Sequence, residues 1–247
     1  MTERLVDLLG ALHAERINTW PAEQLQRNID QRRINAERFD HAAAPRVGQV
    51  AAPFTLQSAA GGELRSQDLV KSGLAVLVFF RHESCPACNI ALPYYDRNLW
   101  PTLSSLGVSL VAVSPQIPEK LINVRNRHDL KFHVASDTGA TLGRRFGLTF
   151  KSEGESKPEL VAEGLGELFN PAVVVMDAAH VVRYVDVTPN WMARSEAGPV
   201  LEAVHEALAE RGQTAVAQAA SLQPTEERRG SLGHEFGLYR TDVIRGR

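Results

Sequence analysis

The stretch that decides the fold is LAVLVFFRHESCPACNIALPYYDRNLWPTLSSLGVSLVAVS, residues 74–114. It opens on seven consecutive apolar residues, 74–80, too many for a strand with one wet face and suited to a central strand covered on both sides. It closes on VSLVAVS, 108–114, which reads as a second buried strand. Between them lie Pro86 and a stretch of helical character to about residue 106, with a kink expected at Pro93. Strand, helix, strand make a βαβ unit. Both cysteines of the chain, Cys85 and Cys88, fall at its first strand-to-helix junction. That is the C-terminal edge of a parallel strand, where open α/β sheets place their chemistry.

Working outward, residues 1–44 read as a helical leader. Leu5, Leu8, Leu9 and Leu12 recur at helical spacing, and after Pro21 so do Leu25, Ile29, Ile34 and Phe39. The apolar stripe is expected to pack on the following domain or on a partner chain, as in a homodimer. The many charges between read as a solvated face. Residues 45–211 form the main domain. Gly61-Gly62 turns a short hairpin. Residues 118–128 and 138–146 are expected to be helical, with a short extended piece between them. Residues 148–170 are polar and glycine-rich and read as a surface loop with some helical turns. Residues 171–177 and 181–187 make an antiparallel hairpin, and 195–211 a last amphipathic helix. From 212 the periodicity fades, and 212–247 reads as a mobile tail, although EFGLYRTDVI has enough apolar residues to dock. The expected class is α/β, a central mixed sheet flanked by helices.

Composition narrows the function. A net charge of −2 over 247 residues argues against nucleic-acid or anionic-membrane partners. No apolar run is long enough to span a bilayer, and MTERLVDLLG lacks the pattern of a secretory signal. Two thiols cannot staple a chain this long, so a close pair in a cytoplasmic protein points to chemistry.

Proline is favoured at the first position of a helix, so Pro86 makes Cys85 the N-cap. There its sulfur faces unsatisfied N–H groups and the positive end of the helix dipole, which favour a thiolate. Cys88 follows one turn later, within reach of a small disulfide ring. On this argument Cys85 attacks and Cys88 resolves. Arg81 and His82 can add positive charge, and Glu83 can accept a proton from the resolving thiol or be an exposed loop acid. A zinc site would need two further ligands, for which no second CxxC or HxxxH exists, and two inert buried cysteines are the remaining alternative. Ser114 and Gln116 can line the same sheet edge, and Trp191 can cover a pocket or fill a hydrophobic edge. His128 and His133 read as surface or strand-end residues. No cofactor is implied.

At this point the sequence resembles the thioredoxin superfamily, and within it the AhpC/TSA, peroxiredoxin-like family. GQVAAPFTL at 48–56, the hairpin after it and FFRHESCPAC at 79–88 are similar to the opening of that family. VSLVAVSPQIPEK, VASDTGATLGRRFGL and NPAVVVMDAAHVVRYVDV follow in the family's order. The resemblance covers 47–210 and implies a thioredoxin-like fold and a thiol peroxidase or a thiol–disulfide oxidoreductase. It implies a peroxide or disulfide substrate and a thioredoxin-like or small-thiol reductant. A non-catalytic redox-sensing module is the third reading. In the family's register Cys88 takes the peroxidatic position and Cys85 that of a threonine. Pro171 falls where the peroxide-polarising arginine would be, and Arg81 is the substitute. In a thioredoxin register Pro171 is a cis-proline facing the cysteines, and Phe79 and Ser84 stand where a buried acid and an aromatic residue are usual.

Overall fold

Helix α1, Leu5–Thr19, and helix α2, Ala22–Arg38, precede a seven-stranded sheet in a computed structural model that describes residues 3–151 and 166–221. The strands are β1 (Thr55–Ser58), β2 (Glu63–Arg65), β3 (Leu74–Phe79), β4 (Ser109–Ser114) and β5 (His133–Ser136), with the one-turn helix α3 (Ser66–Leu69) between β2 and β3. A two-stranded ribbon follows, β6 (Thr149–Phe150) with β7 (Leu168–Phe169), and then β8 (Ala172–Asp177) and β9 (Val182–Val187). The main sheet runs β2-β1-β5-β4-β3-β8-β9. β3 is parallel to β4 and antiparallel to β8, and β4 is parallel to β5. This is a mixed sheet of the thioredoxin-like kind.

The apolar run of β3 is buried at every position. Its side chains alternate between two cores, as a strand requires. Val76, Val78 and Phe80 point to the layer that holds the cysteines, Leu5 and Leu9 of α1, and Val200 and Val204. Ala75, Leu77 and Phe79 point to the other, with Phe146 and Phe169. Phe79, in the position of a thioredoxin acid, packs edge-on against Phe169 with centroids 5.6 Å apart.

The single helix expected after the cysteines is two. The first runs unbroken through Pro93 as α4, Pro86–Asn98, and yields at Leu99 to α5, Trp100–Ser105, which carries Pro101 in its first turn. The ring of Pro101 fits a helix start better than a helix interior. Helix α6 is Pro118–Arg127 and helix α7 is Thr141–Arg145. Asp137 sets where α7 begins: its buried carboxylate accepts N–H bonds from Leu142 at 3.1 Å and Gly143 at 2.8 Å. The two ends of the 148–170 segment, expected to be loop with some helical turns, pair instead as the strands β6 and β7. The middle of that segment lies outside the described residues.

Residues through Leu208 make one unit and a second begins at Ala209. The last helix, α8, Ala197–Ser221, continues ten residues beyond the expected end at 211. The remainder of the expected tail, EFGLYRTDVI included, lies outside the described residues. No described helix is long and apolar enough to cross a membrane.

The leader is tied to α4. Arg4, the N-cap of α1, makes no side-chain cap bond. The Glu196 carboxylate takes that role, accepting from Leu5 N–H at 3.1 Å, Val6 N–H at 2.9 Å and the Tyr94 hydroxyl at 2.7 Å. Glu3 adds bonds from Arg97 and Asn98 of α4.

Candidate active site

Cys85 is the N-cap of α4 with extended backbone, and Pro86 holds the first helical position. The Cys88 N–H donates to the Cys85 sulfur at 3.3 Å, which satisfies one orphan donor of the helix terminus. The two sulfurs are 2.7 Å apart, each residue only 1% exposed, and both are free thiols. The Cys88 thiol lies directly against the Cys85 sulfur.

The loop before them is held by side chains sent from other elements. Ser114 Oγ donates to the Arg81 carbonyl at 3.0 Å, and Gln116 Oε1 accepts from Glu83 N–H at 2.9 Å. Asn89 Nδ2 reaches back to the carbonyls of Glu83 and Cys85, at 2.7 and 2.9 Å. His128 braces Asn89 from α6, Nε2 to Oδ1 at 2.6 Å. Ser114, Gln116 and His128 are thus supports of the loop. Glu83 turns its carboxylate toward Asn123 of α6 at 3.5 Å and its carbonyl toward Asn89, away from the sulfurs. His82 bonds Ser84 through Nδ1 at 3.0 Å. His133 is exposed at the start of β5.

The charges that act on the two sulfurs come from elsewhere in the chain. Arg194 Nη2 lies 3.4 Å from the Cys88 sulfur. Its guanidinium is braced by the carbonyls of Trp191 and Ala193, the latter at 2.6 Å. Arg81 is buried and lies over Trp191, 4.4 Å from the ring centroid, and Trp191 stacks on Phe150 at 5.9 Å. Trp191 is therefore the platform of a buried cation.

Burial raises both thiols. At Cys88 the bond from the Cys85 thiol, the charges of Arg194 and His82 and the Arg81 backbone overcome it, holding this sulfur well below the usual thiol range. At Cys85 burial and the bond and charge of Cys88 push the thiol well up, offset only in part by Arg81 and Arg194. The backbone N–H on Cys85 pulls the other way, but a charged donor is the stronger one. These charges therefore favour the thiolate at Cys88, whereas the helix terminus alone favours it at Cys85.

Pro171 is brought to the same end of the sheet, one residue before Ala172, which pairs with Phe79. Its peptide bond is trans, against the cis form that a thioredoxin register implies. The chain around it is fixed without a cis bond: Asn170 N–H donates to the Leu148 carbonyl at 2.7 Å, and the Pro171 carbonyl accepts from Thr188 N–H at 2.8 Å. Among the described residues no group of three or more His, Cys, Asp and Glu side chains is placed to hold a metal ion.

Sequence reasoning missed three arginines. Arg194 sits in an irregular turn with no motif around it. Arg16 and Arg32 belong to helices whose charges read as a solvated face, yet both are buried. Burial was legible only as a break in the pattern: Arg16 stands four residues after Leu12, and Arg32 three after Ile29, each on or beside the apolar stripe.

The pattern of the AhpC/TSA family matches residues 47–185. The chain belongs to that family, and with it to the peroxiredoxin-like oxidoreductases. No curated protein sequence matches it. Among solved structures it is similar to peroxidoxin BcpB from Mycobacterium tuberculosis, at 20% identity and TM-score 0.51, covering 66% of this chain and 94% of that one. It is also similar to a peroxiredoxin-like protein from Aquifex aeolicus, at 20% identity and TM-score 0.55, covering 66% and 88%. A thiol peroxidase from Chromobacterium violaceum shares 18% identity at TM-score 0.50 over the same shares of the two chains. At these identities the likeness is one of fold.

Proposed function

We propose that this protein is a thiol peroxidase in which Cys88 attacks and Cys85 resolves. The observation that carries the assignment is the guanidinium of Arg194 on the sulfur of Cys88, with the Cys85 sulfur 2.7 Å away. The Cys88 thiolate attacks the distal oxygen of a hydroperoxide. The O–O bond breaks, the sulfur becomes a sulfenic acid, and the peroxide leaves as an alcohol or water after taking up a proton. Cys85 then attacks that sulfur, its proton goes to the departing oxygen, and water and a disulfide result. An external dithiol or two small thiols return two electrons and two protons by exchange.

Arg81 supplies positive charge near Cys85 and Arg194 near Cys88, so the arginine role of the family falls to residues outside the 170–171 position. A thiol–disulfide oxidoreductase is the second reading, favoured by the CPAC sequence on a helix N-terminus. Stopped-flow oxidation of the reduced protein by hydrogen peroxide, read as thiol loss, separates them. A rate far above that of a free thiolate is expected. A rate no better than a free thiol, with turnover of a disulfide substrate, assigns the second reading instead.

A further inference from the structure

A cavity of about 630 Å³ lies between α2 and strand β6, beside Trp191. That is the size of a small-molecule site. Ile34 of α2, Phe39 just after it, Phe150 of β6 and Trp191 give it an apolar and mostly aromatic lining. Trp191 is 5% exposed and the other three are half-buried. Phe150 and Trp191 stack with their planes 6° apart, so two of the walls form one flat aromatic surface.

The elements around the cavity are fastened to one another. Asn35 Nδ2 of α2 donates to Asn170 Oδ1 at 2.7 Å and to the Pro189 carbonyl at 2.6 Å. Both asparagines line the cavity, and Asn170 is buried. These bonds tie the leader to the residue before Pro171 and to the turn after β9, so the space is held open by contacts on its own walls.

The charges at the cavity are unequal in sign. Arg38 and Lys151 bring two cations and Asp40 one carboxylate, all three exposed. The result is an aromatic interior with a rim of net positive charge. Trp191 also belongs to the redox centre: its ring lies under Arg81, and its carbonyl accepts from Arg194, which reaches Cys88. Neither cysteine lines the cavity. The peroxidase chemistry proposed above is complete on the two sulfurs and their arginines, and it leaves this space without a role.

We infer that the cavity is a second binding site, for a small planar aromatic acid. The ring packs against Phe150 and Trp191, and the carboxylate faces the rim, where Arg38 and Lys151 favour it. The ligand shares a wall with the redox centre and does not touch the sulfurs.

The test is calorimetric titration of the reduced full-length protein with 2-naphthoate. It needs no turnover, so it stands or falls apart from the peroxidase assignment. The wild type should bind. Ile34→Trp, which fills the cavity from α2, should weaken binding about tenfold or more. Arg38→Gln, at an exposed position that the fold does not depend on, should weaken it about twofold to fivefold, the range of a solvent-screened ion pair. For the wild type, 2-naphthalenemethanol, the same ring without the charge, should bind more weakly than the acid. No binding to the wild type, as for a cavity closed by a second copy of the chain, overturns the proposal. So does binding that a folded Ile34→Trp leaves unchanged, which would place the probe elsewhere. Should Ile34→Trp not fold, Arg38→Gln and the neutral probe still decide: equal affinity in both comparisons overturns the assignment to an aromatic acid.

Discussion

Arg194 Nη2 stands 3.4 Å from the sulfur of Cys88, across 106 positions of sequence. A guanidinium is charged at every pH of interest, so this contact favours thiolate over thiol wherever it persists. Replacing Arg194 by Gln leaves a polar group but removes the charge. A hydrogen bond to a charged group contributes about 1.5–3 kcal/mol, roughly one to two decades in the protonation equilibrium. The Cys88 pKa, depressed in the wild type, should therefore rise in Arg194→Gln. The peroxide rate should fall about tenfold or more below the new midpoint and recover as pH rises through it. Thiolate absorbance near 240 nm followed against pH gives the midpoint directly. An unchanged midpoint would remove Arg194 from the site's electrostatics.

The two cysteines should fail in different ways. Cys85→Ser keeps the Arg194 contact and loses the resolving thiol. It should react once with hydrogen peroxide and accumulate a sulfenic acid that dimedone traps, seen as a mass increase. Cys88→Ser keeps only Cys85, whose thiol burial still raises and which lacks the direct Arg194 contact, and should react at least about tenfold more slowly at neutral pH, as for loss of one charged hydrogen bond. The opposite pattern would return the attacking role to Cys85.

Much of this architecture was legible in the sequence because burial on both faces leaves a continuous apolar run. Residues 74–80 carry that mark in full and 108–114 do so apart from two serines, and they became the two parallel central strands β3 and β4. The N-cap position of Cys85 was legible from Pro86 alone. The proton's place was not, because Arg194 arrives through a turn after β9 that has no periodicity. The buried arginines were hidden differently. Charge counted along a helix reads as solvent contact, and only the packing of α1 and α2 makes Arg16 and Arg32 exceptions. The chain on either side of the trans bond before Pro171 is tied to Leu148 and Thr188, partners no local pattern names.

Glu196 holds the start of α1 against α4, and its titration should be visible in stability. Burial raises its pKa, but bonds from Val6, Tyr94 and Leu5 outweigh this and hold it below the usual 4.5. A depressed carboxylate stabilises the fold fully above its unfolded pKa, and the contribution is lost as pH falls through the folded value. Glu196→Gln should cost about 1 kcal/mol at pH 7, within the range for losing a helix cap and reduced by solvent screening at this partly exposed site. Urea unfolding at a series of pH values should show the gap between wild type and variant closing below pH 4.5. A gap that persists unchanged at pH 3 would mean the carboxylate charge is not what holds the helix.

The junction between the leader and the sheet rests on Gly147. It has φ +59, and a Cβ there would lie 2.3 Å from the carbonyl oxygen of Ala43, in the segment that follows α2. Gly139 has φ +80 and nothing within 4 Å of the same added atom. The pair separates two costs. Gly139→Ala meets only the left-handed backbone penalty of roughly 1–2 kcal/mol. Gly147→Ala meets that penalty and a clash with main chain, which cannot turn aside as a side chain can. Gly147→Ala should therefore be the more destabilised in urea by a further ~1–3 kcal/mol, the usual cost of overpacking. Because relief requires moving residues near Ala43, protease cleavage between α2 and β1 should rise in Gly147→Ala and not in Gly139→Ala. Equal destabilisation without new cleavage would show that the leader's end does not depend on this contact.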